Sequence, residues 1–233
     1  MEKPEDFYNT YEKFKAYERL DLRAKHIRWY DREFWVPMGC GAAKSVLEIG
    51  CGAGHFLSYL KHKGVERFIG VDLDPRIVDF LDPEISDHVR IADVRDFVLG
   101  QDGEPPFDYI VMLDVLEHFS AFEAVALLQS LKGILADDGL INIRVPNVSS
   151  PWGLQHQYGD LTHKTAYTPD SLQQLAVASG FESVEFLSQA RGSPSRRFTE
   201  DILHGFLSRV LTEAPKIWSA NFIGILKPCP KKP

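Results

Sequence analysis

Apolar runs of strand length alternate with amphipathic, helix-length segments from residue 45 onward. That alternation predicts an α/β fold, a parallel sheet with helices on both faces. Two further observations agree. The chain has 233 residues, 44% of them hydrophobic, enough for one large α/β core. Its first strand runs into a glycine-rich turn and then a helix, LEIGCGAGHF, the kind of unit that meets ligands at the carboxyl ends of such sheets.

Two units are expected: residues 1–45, rich in aromatics and charge, and residues 46–233. In the first, Phe7, Tyr11, Phe14 and Tyr17 recur three or four apart, predicting one or two helices that end near Pro37-Met38-Gly39. This cap packs on the core, and some of its rings could close over a ligand. SVLEIG is the first strand, and a helix over 52–63 is closed by Gly64. RFIGVDLD is the second strand. Asp74 caps a helix that starts at Pro75 and reaches Leu81. HVRIADV is a short third strand and YIVMLD a fourth. FEAVALLQSLKGIL is an amphipathic helix ending in the turn at 136–139, and GLINIRVPN is a fifth strand. Residues 147–168 read as one long loop. Thr168 and Pro169 then start a helix that Gly180 closes, and ESVEFLS alternates as a sixth strand. After a polar break at 191–197 come the amphipathic FTEDILHGFLSRVL and a last strand, SANFIGILKP.

The net charge of −7 argues against nucleic acid as a main partner, since phosphate-clamping proteins carry a basic balance. Cys40, Cys51 and Cys229 are few, odd in number and widely spaced, which suits a reducing compartment and shows no zinc spacing. No signal-peptide core and no run of about 18 apolar residues is present, so a cytoplasmic protein without a membrane span is expected.

Three glycines, Gly50, Gly52 and Gly54, fall within five residues. The phosphate loop ending in Lys-Ser or Lys-Thr is absent, and the dinucleotide fingerprint wants glycines at positions 1, 3 and 6, not 1, 3 and 5. Glu48, just ahead, would oppose a pyrophosphate and suit a cationic ligand. Asp72, at the end of the second strand, lies where an acid accepts ribose hydroxyls. Asp93, after the third strand, could accept an adenine amino group. Each acid could instead be a strand-end or cap residue, but three at successive strand ends share the ligand side.

EIGCGAG, GVDLDP, IADV, FDYIVMLDVLEH and LKGILADDGLINIRVP occur in that order over residues 46–147, and together they resemble the class I S-adenosylmethionine-dependent methyltransferases. The resemblance implies a doubly wound, seven-stranded, mostly parallel Rossmann-like sheet whose last strand is antiparallel. It implies S-adenosyl-L-methionine as cofactor. Gly50, Gly52 and Gly54 would face it, with Cys51 a small packing residue among them and not a nucleophile. Glu48 would help hold the methionine end, Asp72 the ribose and Asp93 the adenine, with Leu73 and Val94 flanking the ring. Leu113 and Asp114 would border the methionine part.

Residues 145–181, PNVSSPWGLQHQYGDLTHKTAYTPDSLQQLAVASGF, are similar to methyltransferases of bacterial polysaccharide and O-antigen gene clusters, through the GD-x-TH segment and the aromatic-Thr-Pro helix start. That implies a sugar hydroxyl of a glycan or nucleotide sugar as acceptor. The loop 147–168 gathers Trp152, His156, Tyr158, Asp160, His163 and Tyr167, an aromatic face with hydrogen-bonding groups. Transfer to a hydroxyl benefits from a general base. His163, oriented by Asp160, is the first candidate, and both could equally be loop-stabilising groups. His118, read as the end of the fourth strand, is the second. Glu117 is read as loop support, and His26, His156 and His204 as surface or packing residues. Asp114, His118, Asp160 and His163 could together hold a divalent metal, although none is expected. A small-molecule O-methyltransferase of quinone-like or secondary metabolism, and a non-catalytic S-adenosylmethionine-binding subunit, are the alternatives.

Overall fold

The computed structural model describes residues 17–19, 21–189 and 191–229. Of the helical spacing through Phe7, Tyr11, Phe14 and Tyr17, only Tyr17 lies within them. Seven strands form one sheet: β1 (Ser45–Ile49), β2 (Arg67–Asp72), β3 (Val89–Ile91), β4 (Phe107–Leu113), β5 (Leu135–Pro146), β6 (Phe181–Ser188) and β7 (Asn221–Pro228). Their order is β3-β2-β1-β4-β5-β7-β6. The first five pair in parallel, and β7 runs antiparallel to both β5 and β6. Strand order reverses between β1 and β4, so the crevice outside their carboxyl ends is where this architecture receives a ligand.

All five residues of β1 are buried, as a central parallel strand requires. Period-two alternation divides the core. Leu47, Ile110, Met112 and Ile143 face one layer, against Leu127, Leu128 and Leu131 of α4 (Ala121–Gly133) and Leu172, Leu175 and Ala176 of α6 (Pro169–Ala178). Val46, Tyr109 and Val111 face the other, against Phe56, Leu57, Tyr59 and Leu60 of α2 (His55–His62) and Phe34 and Met38 of the N-terminal segment. That segment comprises α1 (Ala24–Tyr30) and a π-helical turn, Asp31–Trp35.

The structure departs from the sequence pattern in several places. Residues Pro75–Phe80 form a 3-10 turn rather than an α-helix, although Asp74 does cap it by accepting from Arg76 N–H. A six-residue helix, α3 (Val94–Leu99), follows β3 where none was expected. β5 starts at Leu135 and runs through the segment expected to be a turn, with a register shift against β4. The expected loop at 147–168 contains a short helix, α5 (Leu154–Tyr158), and is pinned by a bridge between Asn147 and Tyr167. α7 (Pro194–Val210) starts inside the expected polar break, because Ser193 caps it and Pro194 takes its first position. β4 ends at Leu113, so His118 belongs to a separate 3-10 turn, Leu116–His118, and not to the strand.

Candidate active site

The turn after β1 is held by the strand beside it. Gly50 N–H and Cys51 N–H donate to Val71 O at 2.8 and 3.3 Å. Gly52 N–H donates to Asp72 Oδ2 at 2.8 Å, while Asp72 Oδ1 accepts from Asp74 N–H at 2.9 Å. Burial raises the Asp72 carboxyl above its ordinary range, and these two N–H groups partly offset it.

Gly50, Gly52 and Gly54 all have positive φ, of 70, 49 and 75°, but for different reasons. A methyl group on Gly50 would strike Val115 Cγ2, and one on Gly54 would strike Ile85 Cδ1. Only at Gly52 would a methyl group meet no protein atom within 4 Å. Gly52 alone leaves its space to a ligand, whereas Gly54 leaves its space to the core.

A cavity of about 750 Å³ opens above this turn. Of the residues expected to bind the cofactor, Gly50, Cys51, Gly52, Asp72, Leu73, Asp93, Val94 and Leu113 line it. Glu48 and Gly54 do not line it. Glu48 is buried, 3% exposed, behind the turn. Its burial, with Asp72 nearby, pushes its carboxyl well above the ordinary carboxylate range. The carboxylates that do line the wall are Glu18, Asp72, Asp93, Asp114 and Glu123. Asp93 also caps α3, accepting from Arg95 N–H at 2.8 Å, so the cap role and the wall position coexist. Cys51 packs beneath Gly70, and burial pushes its thiol up, which fits a packing residue.

Asp114 sits at φ 60°, the one non-glycine residue with positive φ among those described. Such a conformation costs about 1–3 kcal/mol and needs surrounding contacts to hold it. Arg144 donates to its two oxygens at 3.1 and 2.6 Å and reaches Glu33 at 3.2 Å. The Arg144 side chain is enclosed, and although burial opposes its charge, Asp114 and Glu33 hold it on.

The loop after β5 docks onto the Leu116–His118 turn. Lys164 N–H and Thr165 N–H donate to Glu117 O at 2.8 and 3.1 Å, and Thr165 Oγ1 donates to Phe119 O at 2.7 Å. Thr162 donates from both its N–H and its Oγ1 to Asp160 Oδ1, at 2.9 and 2.6 Å. Thr162 Oγ1 also lies 3.0 Å from His118 Nδ1. His163 Nδ1 lies 2.9 Å from Gln157 O, and the two histidine rings meet edge to face at 4.7 Å. His118 lines the cavity, and His163 does not. His163 stands behind His118 relative to the cavity, and Asp160 directly orients Thr162. Within the suggested metal set, His118, Asp160 and His163 are brought together. Asp114 is drawn off by Arg144, and Glu117 takes its place in the cluster.

The profile of a methyltransferase domain matches residues 17–185. The chain belongs to this methyltransferase domain family. A solved S-adenosylmethionine-dependent methyltransferase from Archaeoglobus fulgidus superposes with a TM-score of 0.66 and 22% identity over 95% of this chain and 99% of that one. The 1,6-didemethyltoxoflavin-N1-methyltransferase of Burkholderia thailandensis, solved with 1,6-didemethyltoxoflavin and S-adenosylhomocysteine, superposes with a TM-score of 0.62 and 19% identity, covering 97% and 87%. These likenesses show the Rossmann-like methyltransferase fold. A peramine synthetase, ppzA, of Metarhizium rileyi is 34% identical over 111 residues, 44% of this chain. The chain spans only about 4% of the length of the curated relatives it matches.

Sequence reasoning missed Thr162, Arg144 and Glu33. The Asp-x-Thr spacing of GDLTH is an Asx-type signal that could have revealed Thr162. A lone arginine in the apolar strand INIRVP announces a buried partner, but nothing in the sequence points to Glu33 as that partner.

Proposed function

We propose that this methyltransferase transfers a methyl group from S-adenosylmethionine to a hydroxyl oxygen of a sugar, in a glycan or a nucleotide sugar. The residues present fit the cofactor: a cavity of about 750 Å³, one glycine with open space above it and a wall that carries Asp72, Asp93 and Asp114 among its carboxylates suit a nucleoside bearing a cation. When bound, the cofactor supplies a methyl group on cationic sulfur, ready for in-line displacement. On this reading Gly52 lets the backbone approach the methionine part, and Asp72 receives the ribose hydroxyls on the lone pairs its two N–H bonds leave. Asp93 receives the adenine amino group, and Leu73 and Val94 sandwich the ring. Leu113 and Asp114 border the methionine part, with Arg144 holding Asp114 in position.

The observation that carries the oxygen acceptor is the docking of the 160–165 segment on the Leu116–His118 turn, which fixes His118 on the cavity wall beside the cofactor end. A hydroxyl needs a group that draws off its proton, and the His118 end of the cavity supplies one. Sugar as the acceptor class is supported by the GD-x-TH resemblance and by exposed Trp152 and Tyr158 on the same loop, whose ring faces suit a sugar. The partial match to peramine synthetases favours a second reading, a small-molecule acceptor of secondary metabolism.

No helix among the described residues is long and apolar enough to cross a membrane. On our reading the acceptor is soluble or presented at a surface, and nucleic acid is not the acceptor, given the charge of −7.

Methyl-labelled cofactor with a panel of nucleotide sugars, oligosaccharides and small phenols tests this. Label in a sugar supports it. Label only in the phenols replaces the sugar with the second reading, and cofactor binding without transfer to any of them overturns the oxygen-acceptor assignment.

A further inference from the structure

We propose that Glu117, His118 and His163 bind one divalent transition-metal ion at the cavity wall, with Asp160 as a fourth donor. The role assigned to the ion, holding and acidifying the acceptor hydroxyl, rests on the function proposed above, whereas the site itself rests on geometry alone.

One ligating atom from each of Glu117, His118 and His163 lies within 4.8 Å of the other two. The hydrogen bonds decide which ring atoms face the cluster. Gln157 O can only accept, so His163 Nδ1 carries a proton and donates to it at 2.9 Å. Thr162 has one hydroxyl proton, given to Asp160 Oδ1 at 2.6 Å, so its oxygen accepts from His118 Nδ1–H at 3.0 Å. Both imidazoles are therefore fixed with Nε2 as the basic nitrogen. This is the outer arrangement that orients a metal-binding histidine: the far nitrogen donates to a carbonyl or to a hydroxyl backed by a carboxylate.

His163 Nε2 lies 3.9 Å from Glu117 Oε1 and 3.9 Å from Asp160 Oδ2. A charge-assisted hydrogen bond brings such atoms to about 2.7–2.9 Å. Donors about 2.1 Å from a shared metal stand roughly 3–4 Å apart. The side chains are enclosed, Glu117 fully, His163 at 9% and Asp160 at 11% exposure. Two imidazoles and two carboxylates, without thiolate, suit Zn²⁺, Mn²⁺, Fe²⁺, Co²⁺ or Ni²⁺ better than Mg²⁺. His118 carries the site to the cavity wall, where a Lewis acid lowers the pKa of an acceptor hydroxyl.

The test uses the full chain, dialysed against chelator and shown to bind S-adenosylhomocysteine. It is titrated with Zn²⁺, Mn²⁺ and Co²⁺ by calorimetry and, for Co²⁺, by visible absorption. One equivalent bound per chain is expected, with near-complete loss in His163→Ala and Glu117→Gln. Thr162→Val, which keeps the shape of a buried residue, should weaken metal affinity about 10- to 100-fold while leaving circular dichroism and S-adenosylhomocysteine affinity unchanged. Absence of stoichiometric binding in the folded wild type overturns the site, as does equal affinity in the Thr162→Val and His163→Ala proteins. Because no acceptor is present, these outcomes are independent of the sugar assay.

Discussion

Gly52→Ala and Gly54→Ala are two residues apart in one turn, yet they should fail in opposite ways. At Gly54, φ is 75° and an added methyl group strikes Ile85 Cδ1, with Leu81 Cδ2 at 3.3 Å. A left-handed non-glycine residue costs roughly 1–2 kcal/mol, and overpacking a close-packed core a further ~1–3 kcal/mol. Because the struck atom is the end of a flexible side chain, the lower half of the sum is expected, about 2–3.5 kcal/mol. At Gly52 the φ of 49° incurs the backbone cost alone, about 1–2 kcal/mol, because no protein atom lies within 4 Å of the new methyl group. That methyl group instead enters the cavity and should weaken S-adenosylhomocysteine binding by about 1–3 kcal/mol, roughly 5- to 150-fold in Kd. Urea unfolding and calorimetric titration of both variants separate the two quantities. Adding Ile85→Val to Gly54→Ala removes the struck atom and should recover part of the loss, an interaction of about 1 kcal/mol in the cycle. A Gly54→Ala protein that keeps its stability but loses affinity would refute the division of labour. So would a Gly52→Ala protein with undiminished affinity.

Three further variants test the surroundings of the site. Arg144→Ala leaves the buried Glu33 and the strained Asp114 without their shared cation and should cost about 3–5 kcal/mol in urea unfolding; a loss below 1 kcal/mol would show that the triad is screened. Glu48 has a raised carboxyl pKa, so the folded state holds its proton longer than the unfolded state, and its contribution to stability falls as pH climbs from its ordinary value of 4.5. Glu48→Gln should therefore match wild type in Tm below about pH 4 and exceed it increasingly above, and a gap that does not vary with pH would contradict this. Burial, with His26 alongside, lowers His55 from 6.5 to about 4, so the unfolded chain binds more protons between those values and stability is lost as pH falls through that window. His55→Gln should flatten the thermal stability profile between those two pH values, and an unchanged slope would place the titration elsewhere.

The central sheet was legible because parallel strands covered on both faces are continuous apolar runs. SVLEI, RFIGVD and FDYIVML needed only that pattern and the punctuation around them. α3 was not legible, since VRDFVL is six residues long and too short to show a period. The ends of β4 and β5 shifted for a different reason. Pairing decides where a strand stops, and β5 extends through its acidic turn because Leu135 pairs with Phe107. In the cofactor site the spacing of glycines and acids located the turn and its walls. It could not tell a glycine that admits a ligand from one that admits Ile85, because that depends on a side chain 31 residues away.

The same limit explains the histidines. GDLTH shows an Asx-type turn and a nearby base, and from sequence the histidine beside the aspartate is the natural choice. In the fold, Asp160 spends its Oδ1 on Thr162, and Thr162 passes the polarity on to His118, 44 residues earlier in the chain. His163 meanwhile is turned by Gln157 O so that its basic nitrogen faces Glu117 and Asp160 rather than the cavity. Neither histidine can rotate to exchange roles without breaking a buried hydrogen bond, which costs about 1–3 kcal/mol for each group left unmade. On the function proposed above, the loop after β5 does more than cover an acceptor: it sets the tautomer of a residue on another element, and the proposed base, or the metal proposed to act in its place, works only while that loop is docked. Loop variants that undock residues 160–165 should thus lose transfer while retaining cofactor affinity, because every residue expected to bind the cofactor lies on β1, β2 or β4, on the turns that follow them, or on the turn and helix after β3.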